Sequence, residues 1–413
     1  MGSLWGSCRH SRLRGLIEAW KNLKQTPPTS AQTAEAAFPK GEAMILLIND
    51  NIIFRSKKMV NGKIGGAVIG CGGMGSWHAE KMSKYMNDRM ELVGIYDINP
   101  AQNQKAEEKG WHAFSSQEEL LADDRIDFVV VATPNDFHHD IVIAALEAGK
   151  NVMSEKPVTM SSELLDDMIK ASERTGKFFT VHQNRRYDPD YLTIKKIYDE
   201  NTLGKIFRIE SRVSGSRGIP GDWRQKKAQG GGMILDWGIH ILDQALMMFD
   251  DKELDSVYCQ VTHITNDEVD DGFVASLNYK DDSVYTISVG TNNFIDYPRW
   301  HVQGINGSAL CEWDLSGKIV MVSDWENKDA VPVRTGVGLT KTMAPRTDDS
   351  IKTFPLPYVE DKGFSGEHTL YNNICDVIEG KADPIVTHDQ QRRLVKVVEA
   401  MFESAEKNIV VKF

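Results

Sequence analysis

A chain of 413 residues, 41% hydrophobic and 26% charged, is too long for one small domain and predicts two or three. Its 33 Gly and 14 Pro sit near the average for soluble globular proteins, which excludes a fibrous or wholly disordered polymer. The formal net charge of −11 argues against a nucleic-acid partner held by broad phosphate neutralisation, because such binding needs a basic surface.

The first 60 residues stand apart. They carry nine Lys or Arg against four Asp or Glu, a balance of +5, which leaves 39 against 55, or −16, on the remainder. Residues 25–34, with Pro27 and Pro28, read as linker. Arg9, Arg12 and Arg14 precede only a short apolar patch at Leu16 and Ile17, and a secretory signal needs an apolar stretch of about 7 to 15 residues there. Residues 1–60 are therefore read as a poorly ordered leader or upstream extension, with a transit peptide or a partner-binding arm as the alternatives. The richest apolar run, beginning at Met44, stops at Asn49 and Asp50, well short of the roughly 18 residues of a spanning helix, so no membrane partner is expected. Cys8, Cys71, Cys259, Cys311 and Cys375 show no C-x-x-C spacing, which suits a reducing, cytoplasmic setting and offers no zinc framework.

From residue 63 the pattern alternates. A short apolar strand over 63–69 ends in Gly70-Cys71-Gly72-Gly73-Met74-Gly75, and 76–85 can be helical. A strand over 92–96 ends at Asp97. Then come a helix over 101–109, a very apolar strand over 126–132, a helix over 141–148, a strand over 151–154, a helix over 161–175 and a strand over 178–182. Such alternation predicts βαβ units and a parallel sheet covered on both faces.

After about residue 204, period-two segments replace the short buried runs. Phe273, Ala275, Leu277 and Tyr279 alternate with polar or small residues, Asp281-Asp282 makes a turn, and Tyr285, Ile287 and Val289 alternate again, which predicts an antiparallel hairpin with one buried face. With strands over 206–213, 256–264, 300–303, 309–314 and 318–322, this gives an α+β domain with a large, mostly antiparallel open sheet. Two helices close the chain, over 367–378 and from Thr387, where Thr387 and Gln390 can form a capping box. Leu394, Val397, Val398, Met401, Phe402 and Ala405 mark the core-facing stripe of the second.

Gly70-x-Gly72-x-x-Gly75 matches the dinucleotide fingerprint: one glycine for the tight turn, one for backbone approach to a pyrophosphate, one for close helix packing. It follows a strand and opens a helix, whose N-terminus favours phosphate. The acid at the end of the next strand, Asp97, can accept hydrogen bonds from both ribose hydroxyls and would repel a 2′-phosphate, and no Arg follows in Ile98-Asn99-Pro100. NAD is favoured over NADP. The α/β unit is thus a Rossmann dinucleotide-binding domain over 61–183, with the second domain over 184–413. Gly70, Gly72, Gly73, Met74, Gly75 and Asp97 are the first cofactor-binding candidates.

Downstream, Ala132-Thr133-Pro134-Asn135, His138, Ala145-Leu146-Glu147-Ala148-Gly149-Lys150 and Glu155-Lys156-Pro157 follow in order. With Arg185-Arg186-Tyr187-Asp188, Gly230-Gly231-Gly232 and Asp236-x-x-x-His240, the chain from about Lys63 to Phe413 resembles the glucose-fructose oxidoreductase, inositol dehydrogenase and rhizopine-catabolism family (Gfo/Idh/MocA). The resemblance implies an active site between the two domains. It implies Thr133, Pro134 and Asn135 beside the nicotinamide end of the cofactor, with His138 lining the cleft or bonding structurally and Glu155 and Lys156 in the Glu-Lys-Pro motif. Lys156, Asp236 and His240 match the family's catalytic set. It also implies association through the open sheet into a homo-oligomer: a dimer, a tetramer or higher.

The residue types suit alcohol oxidation. A base must take the hydroxyl proton as hydride leaves the same carbon, and His is best poised for this near neutral pH. Lys156 can donate to the developing alkoxide, and Asp236, four residues before His240, can orient the imidazole or hold a neighbouring substrate hydroxyl. Arg185, Arg186, Tyr187, Trp223 and Arg224 are substrate-cleft candidates, since aromatic faces stack on sugar rings and guanidinium groups donate to hydroxyls. His138-His139-Asp140 is not read as a metal site, because neighbours on a helix diverge and hydride transfer needs no metal. The expected function is NAD-dependent oxidation of a ring secondary hydroxyl of a small-molecule sugar, glycoside (C3 included) or inositol (a cyclitol). A glycosidase that oxidises its substrate transiently and a non-catalytic dinucleotide sensor are the alternatives.

Overall fold

The computed structural model describes residues 62–323, 346, 350–359 and 365–413; the leader over 1–60 lies outside them. The first half is built on β1 (Ile64–Ile69), α1 (Gly73–Glu80), β2 (Met90–Tyr96), α2 (Pro100–Glu108), α3 (Gln117–Ala122), β3 (Phe128–Val131), α4 (His138–Glu147), β4 (Asn151–Ser154), α5 (Ser162–Thr175) and β5 (Phe179–Val181). Every residue of β1 and β3 is buried, as an apolar run in the middle of a two-sided parallel sheet must be. The strand order is β2-β1-β3-β4-β5, all parallel. A parallel bridge from Ile95 to Ala113 adds the stub of a strand outside β2, which completes the doubly wound order.

One consequence of this topology positions the site. Gly70, Asp97, Ala132, Glu155 and His182 each follow at or just past the last residue of a strand, so they share the carboxyl edge of the sheet. Ligands of open α/β sheets bind at that edge, where the strand order reverses.

The second half comprises α6 (Pro189–Asp199), β6 (Ile206–Ser214), α7 (Ile239–Met248), β7 (Leu254–Thr262), β8 (Gly272–Tyr279), β9 (Val284–Gly290), β10 (Trp300–Gly304), β11 (Gly307–Cys311), β12 (Gly317–Val322), β13 (Ile351–Pro355), α8 (Ser365–Ile378), α9 (His388–Lys407) and β14 (Val411–Lys412). Nine strands form one sheet in the order β13-β12-β11-β10-β6-β9-β8-β7-β14. Its pairs are antiparallel except β6 with β9. The β8–β9 hairpin turns at Asp282 (φ 66°), and Phe273, Ala275, Leu277, Tyr279, Tyr285, Ile287 and Val289 are buried on its inner face.

Two expectations are corrected. Phe402 is 38% exposed: it lies next to Met401 in sequence, about 100° round the helix, and falls off the stripe that Leu394, Val397, Val398 and Met401 bury. The division at 183/184 does not hold for α8, because Leu370, Tyr371, Ile374 and Cys375 are buried in the core of the parallel sheet. Helix α9, whose Thr387–Gln390 capping box is present, joins the halves: it packs on β7 and on α5, and Glu399 accepts from Ser162 N–H at 2.7 Å and Ser162 Oγ at 2.6 Å. No helix among the described residues is long and apolar enough to cross a membrane. Cys71, Cys259, Cys311 and Cys375 are buried free thiols.

The glycine turn is held by backbone-to-backbone proximity. A Cβ on Gly75 would overlap the carbonyl oxygen of Gly70, an atom that cannot swing away. Gly75→Ala is therefore expected to lower unfolding stability by about 1–3 kcal/mol, the range for overpacking a core site, measured by urea denaturation.

Candidate active site

The glycine turn presents a cradle of the right kind for a dinucleotide. Gly70 has φ +88°, and a Cβ there would stand 2.6 Å from Ala132 O. By contrast, Gly72 and Gly73 face open space, where a ligand can approach backbone. No side chain caps α1, so its first N–H groups remain for a phosphate. Asp97 is fastened beside the turn: Oδ2 accepts from Cys71 N–H at 2.6 Å and Oδ1 from Asn99 N–H at 2.8 Å. These residues fit a nicotinamide dinucleotide: Gly72, Gly73 and the start of α1 would hold its pyrophosphate and Asp97 its ribose hydroxyls.

At the other end of the carboxyl edge, Lys156 meets the second half of the chain. Its Nζ donates to Asp236 Oδ1 at 3.2 Å and to Asp236 O at 3.1 Å. Arg224, on a short turn over Trp223–Gln225, places Nε 3.3 Å from Asp236 Oδ2 and stacks its guanidinium on Trp223 at 4.6 Å. Asn135 Nδ2 donates to Gly230 O at 2.8 Å, tying the Thr133-Pro134-Asn135 turn to the glycine triplet. Asp236 lies in a π turn, Ile234–Gly238, that runs into α7; such turns are frequent at functional sites. Among the described residues no hydrogen bond joins Asp236 to His240; its two carboxylate oxygens face Lys156 and Arg224 instead.

His240 is 6% exposed and its Nδ1 is enclosed without a partner among the described residues. Burial, then the Lys156 and Arg185 charges, hold its pKa well below the usual imidazole range, so the ring is neutral at physiological pH. Trp237 meets it edge-on at 5.9 Å, and the Arg185 guanidinium lies 4.1 Å from the Trp237 ring centroid. Arg185, Trp223 and Arg224 thus stand with Lys156, Asp236 and His240.

Four of the candidate residues make internal contacts, and for His138 these are of the structural kind expected as one of its two roles. Arg186 donates through Nε and Nη2 to both Asp243 oxygens at 2.7 Å, and through Nη1 to Ile385 O and Gln390, so four of its five N–H donors are spent inside the protein and its fork faces Asp243. His138 is fully buried, with Nδ1 2.9 Å from Pro157 O and Nε2 3.0 Å from Thr133 O, so it braces the two cofactor-side turns from behind. Glu155 is 5% exposed, and its Oε1 lies 2.8 Å from His78 Nε2 and 2.9 Å from His182 Nδ1. Burial alone would raise Glu155, but His182 and His78 outweigh it and hold the carboxyl well below its usual range. Tyr187, half-buried, packs against the core of the parallel sheet.

The sequence reading missed His78 and His182. With Glu155 ionised, both imidazoles donate to it, and His78 Nδ1 accepts from Tyr371 O–H at 2.6 Å. Burial and the neighbouring His182 lower His78 to about 4. The three donor atoms lie within 4.8 Å of one another, as a metal site requires. Their separations from the single oxygen Oε1 are nonetheless those of hydrogen bonds. His182 carries a readable signal, since it directly follows the apolar strand β5 at the carboxyl edge.

Comparison with known proteins extends this geometry. A family model described as an oxidoreductase family with NAD-binding Rossmann fold matches residues 64–183, and one for the GFO/IDH/MocA C-terminal domain matches 191–310. Among solved structures, an NAD-binding protein from Listeria innocua is 43% identical with a TM-score of 0.80, covering 85% of this chain and 99% of that one. The scyllo-inositol 2-dehydrogenase (NADP(+)) of Bacillus subtilis is 28% identical over 295 residues, 70% of this chain and 80% of the relative. The D-glucoside 3-dehydrogenase of Escherichia coli is 32% identical over 185 residues, 44% of this chain and 52% of the relative. With a dinucleotide cradle at one end of the edge and a lysine, an aspartate and a neutral histidine at the other, the chain belongs to the GFO/IDH/MocA family of NAD(P)-binding oxidoreductases.

Proposed function

We propose that the protein is an NAD-dependent dehydrogenase that oxidises a ring secondary hydroxyl of a small sugar, a glycoside or an inositol. The observation that carries this reading is the convergence of Lys156, Asp236 and the neutral His240. The nicotinamide, when bound, supplies the hydride acceptor. Lys156, held by two bonds to Asp236, donates to the substrate oxygen and favours its alkoxide character. His240 takes the hydroxyl proton at Nε2, since Nδ1 is enclosed. Arg185, Trp223 and Arg224 offer an aromatic face and guanidinium donors for the flanking hydroxyls. The dehydrogenases of inositol and of D-glucosides among the relatives support a cyclic polyol or pyranose, C3 of a glycoside included. Asp97 supports NAD over NADP, although one relative is named for NADP(+). The outward Phe207, Val274 and Phe354 of the open sheet, exposed at 42%, 52% and 46%, support a homo-oligomer, and the buried free thiols support a cytoplasmic setting.

The test is a panel of inositols, sugars and glycosides incubated with NAD or NADP and followed at the NADH absorbance. Net NADH and a keto product are expected with at least one cyclic substrate. Released sugar without net reduction would make the protein a glycosidase, and binding of NAD without turnover of any substrate would make it a sensor.

A further inference from the structure

We infer that Asp270 is a positioning residue for this reaction: it caps, from another element, the helix that carries Asp236 and His240, and so holds both groups in register with Lys156. The inference rests on the catalytic reading above. The π turn Ile234–Gly238 and α7 form one continuous helical segment, and no side chain of its own caps its start. The cap comes from 36 residues further along the chain, where Asp270 precedes β8. Its Oδ2 accepts from Ile234 N–H at 2.9 Å, and its backbone oxygen accepts from Met233 N–H at 3.0 Å. An anion at this place meets the positive end of the helix dipole.

The last glycine of the triplet lets this contact form. Gly232 has φ +100°, and a Cβ there would overlap Asp270 Oδ1. On Gly231 a Cβ would overlap Arg224 O, the same carbonyl that accepts from Gly232 N–H at 3.0 Å. The Arg224 backbone and the Asp270 carboxylate therefore both close on Gly231-Gly232 just before the catalytic helix begins, where a side chain would collide with one or the other. Because Arg224 also holds Asp236, the cap and the substrate-side turn bear on one carboxylate.

Asp270 is 5% exposed and forms no ion pair among the described residues. Burial, opposed by the Ile234 and Met233 amides and weakly by His263, pushes its carboxyl up to about 7. The groups facing it are few. Asp271, its neighbour, is bound to Thr262 and Thr265; Cys259 stands on β7, and His263 follows β7. A raised carboxyl gains its proton as pH falls through about 7, and the cap then loses its charge. Turnover should therefore decline on the acid side near neutrality, for a reason separate from His240, which stays neutral far lower.

Two measurements test this. In Asp270→Asn, kcat for the substrate found above is expected to fall about tenfold with NADH affinity unchanged, and the acid limb near pH 7 to disappear. A wild-type pH profile and kcat in that variant would overturn the proposal, even if its melting temperature dropped. The second needs neither substrate nor a folded variant: in the wild-type protein the amide resonances of Met233 and Ile234 should titrate with one midpoint near 7. Amides that stay fixed between pH 5.5 and 8.5 would overturn it while leaving the dehydrogenase reading intact.

Discussion

Lys156→Ala is expected to lower kcat for the cyclic alcohol by about 100- to 1,000-fold, the usual cost of losing one preorganised donor to a developing oxyanion. Lys156→Arg should rescue little of it, because a planar fork cannot replace a compact ammonium ringed by the Asp236 carboxylate and carbonyl. His240→Ala removes the base and should cost about 100- to 10,000-fold in kcat. NADH affinity, read by fluorescence titration, should change little in His240→Ala, since His240 stands on the substrate-side helix. The pH dependence has a definite sign. Burial and the Lys156 and Arg185 charges depress the His240 pKa, so the base is not titrated as pH falls from 8 to 6. Full turnover in both alanine variants would dismiss these roles.

Much of the fold was legible because it is local. The Gly70-x-Gly72-x-x-Gly75 turn can be read from its spacing between a strand and a helix, although the contact that crowds Gly70 comes from Ala132, 62 residues on. Most strands and helices followed from apolar periodicity, which reports which face is buried, but their ends shifted by two or three residues and the helices α3 and α6 were not read. Periodicity does not report against what. Helix α8 shows a clear amphipathic pattern, yet nothing in that pattern says that Tyr371 returns to the parallel sheet and bonds His78, 293 positions earlier. Arg186 stands in a segment that reads as substrate-facing, and only the fold reveals Asp243, 57 residues on, as its partner. The spacing of Asp236 and His240 suggested a carboxylate turned toward an imidazole. The π turn and two cations from other elements turn it elsewhere, and a count of four along the chain carries no trace of that. The site was thus legible as a set of residue types and not as a set of bonds.

Asp97 carries the cofactor argument, and its geometry decides how the test must be made. Its Oδ2 receives Cys71 N–H from the glycine turn and its Oδ1 receives Asn99 N–H, so the side chain shapes the cradle in addition to its proposed role toward the ribose. Asp97→Ala removes both functions and should weaken NAD and NADP together. Asp97→Asn separates them in part, because the amide oxygen can still accept one of the two backbone N–H groups, though its Nδ2 cannot accept the other, while the negative charge that repels a 2′-phosphate is gone. In that variant the ratio of kcat/KM for NAD over NADP is expected to fall about 10- to 100-fold, equivalent to about 1.4–2.8 kcal/mol and in the range of hydrogen bonds to charged groups. The gain on NADP should be limited, since Ile98, Asn99 and Pro100 supply no cation for the phosphate. Most of the change should therefore appear as a higher KM for NAD. An unchanged ratio would mean that Asp97 serves the turn alone, and wild-type preference for NADP would place the ribose away from this carboxylate.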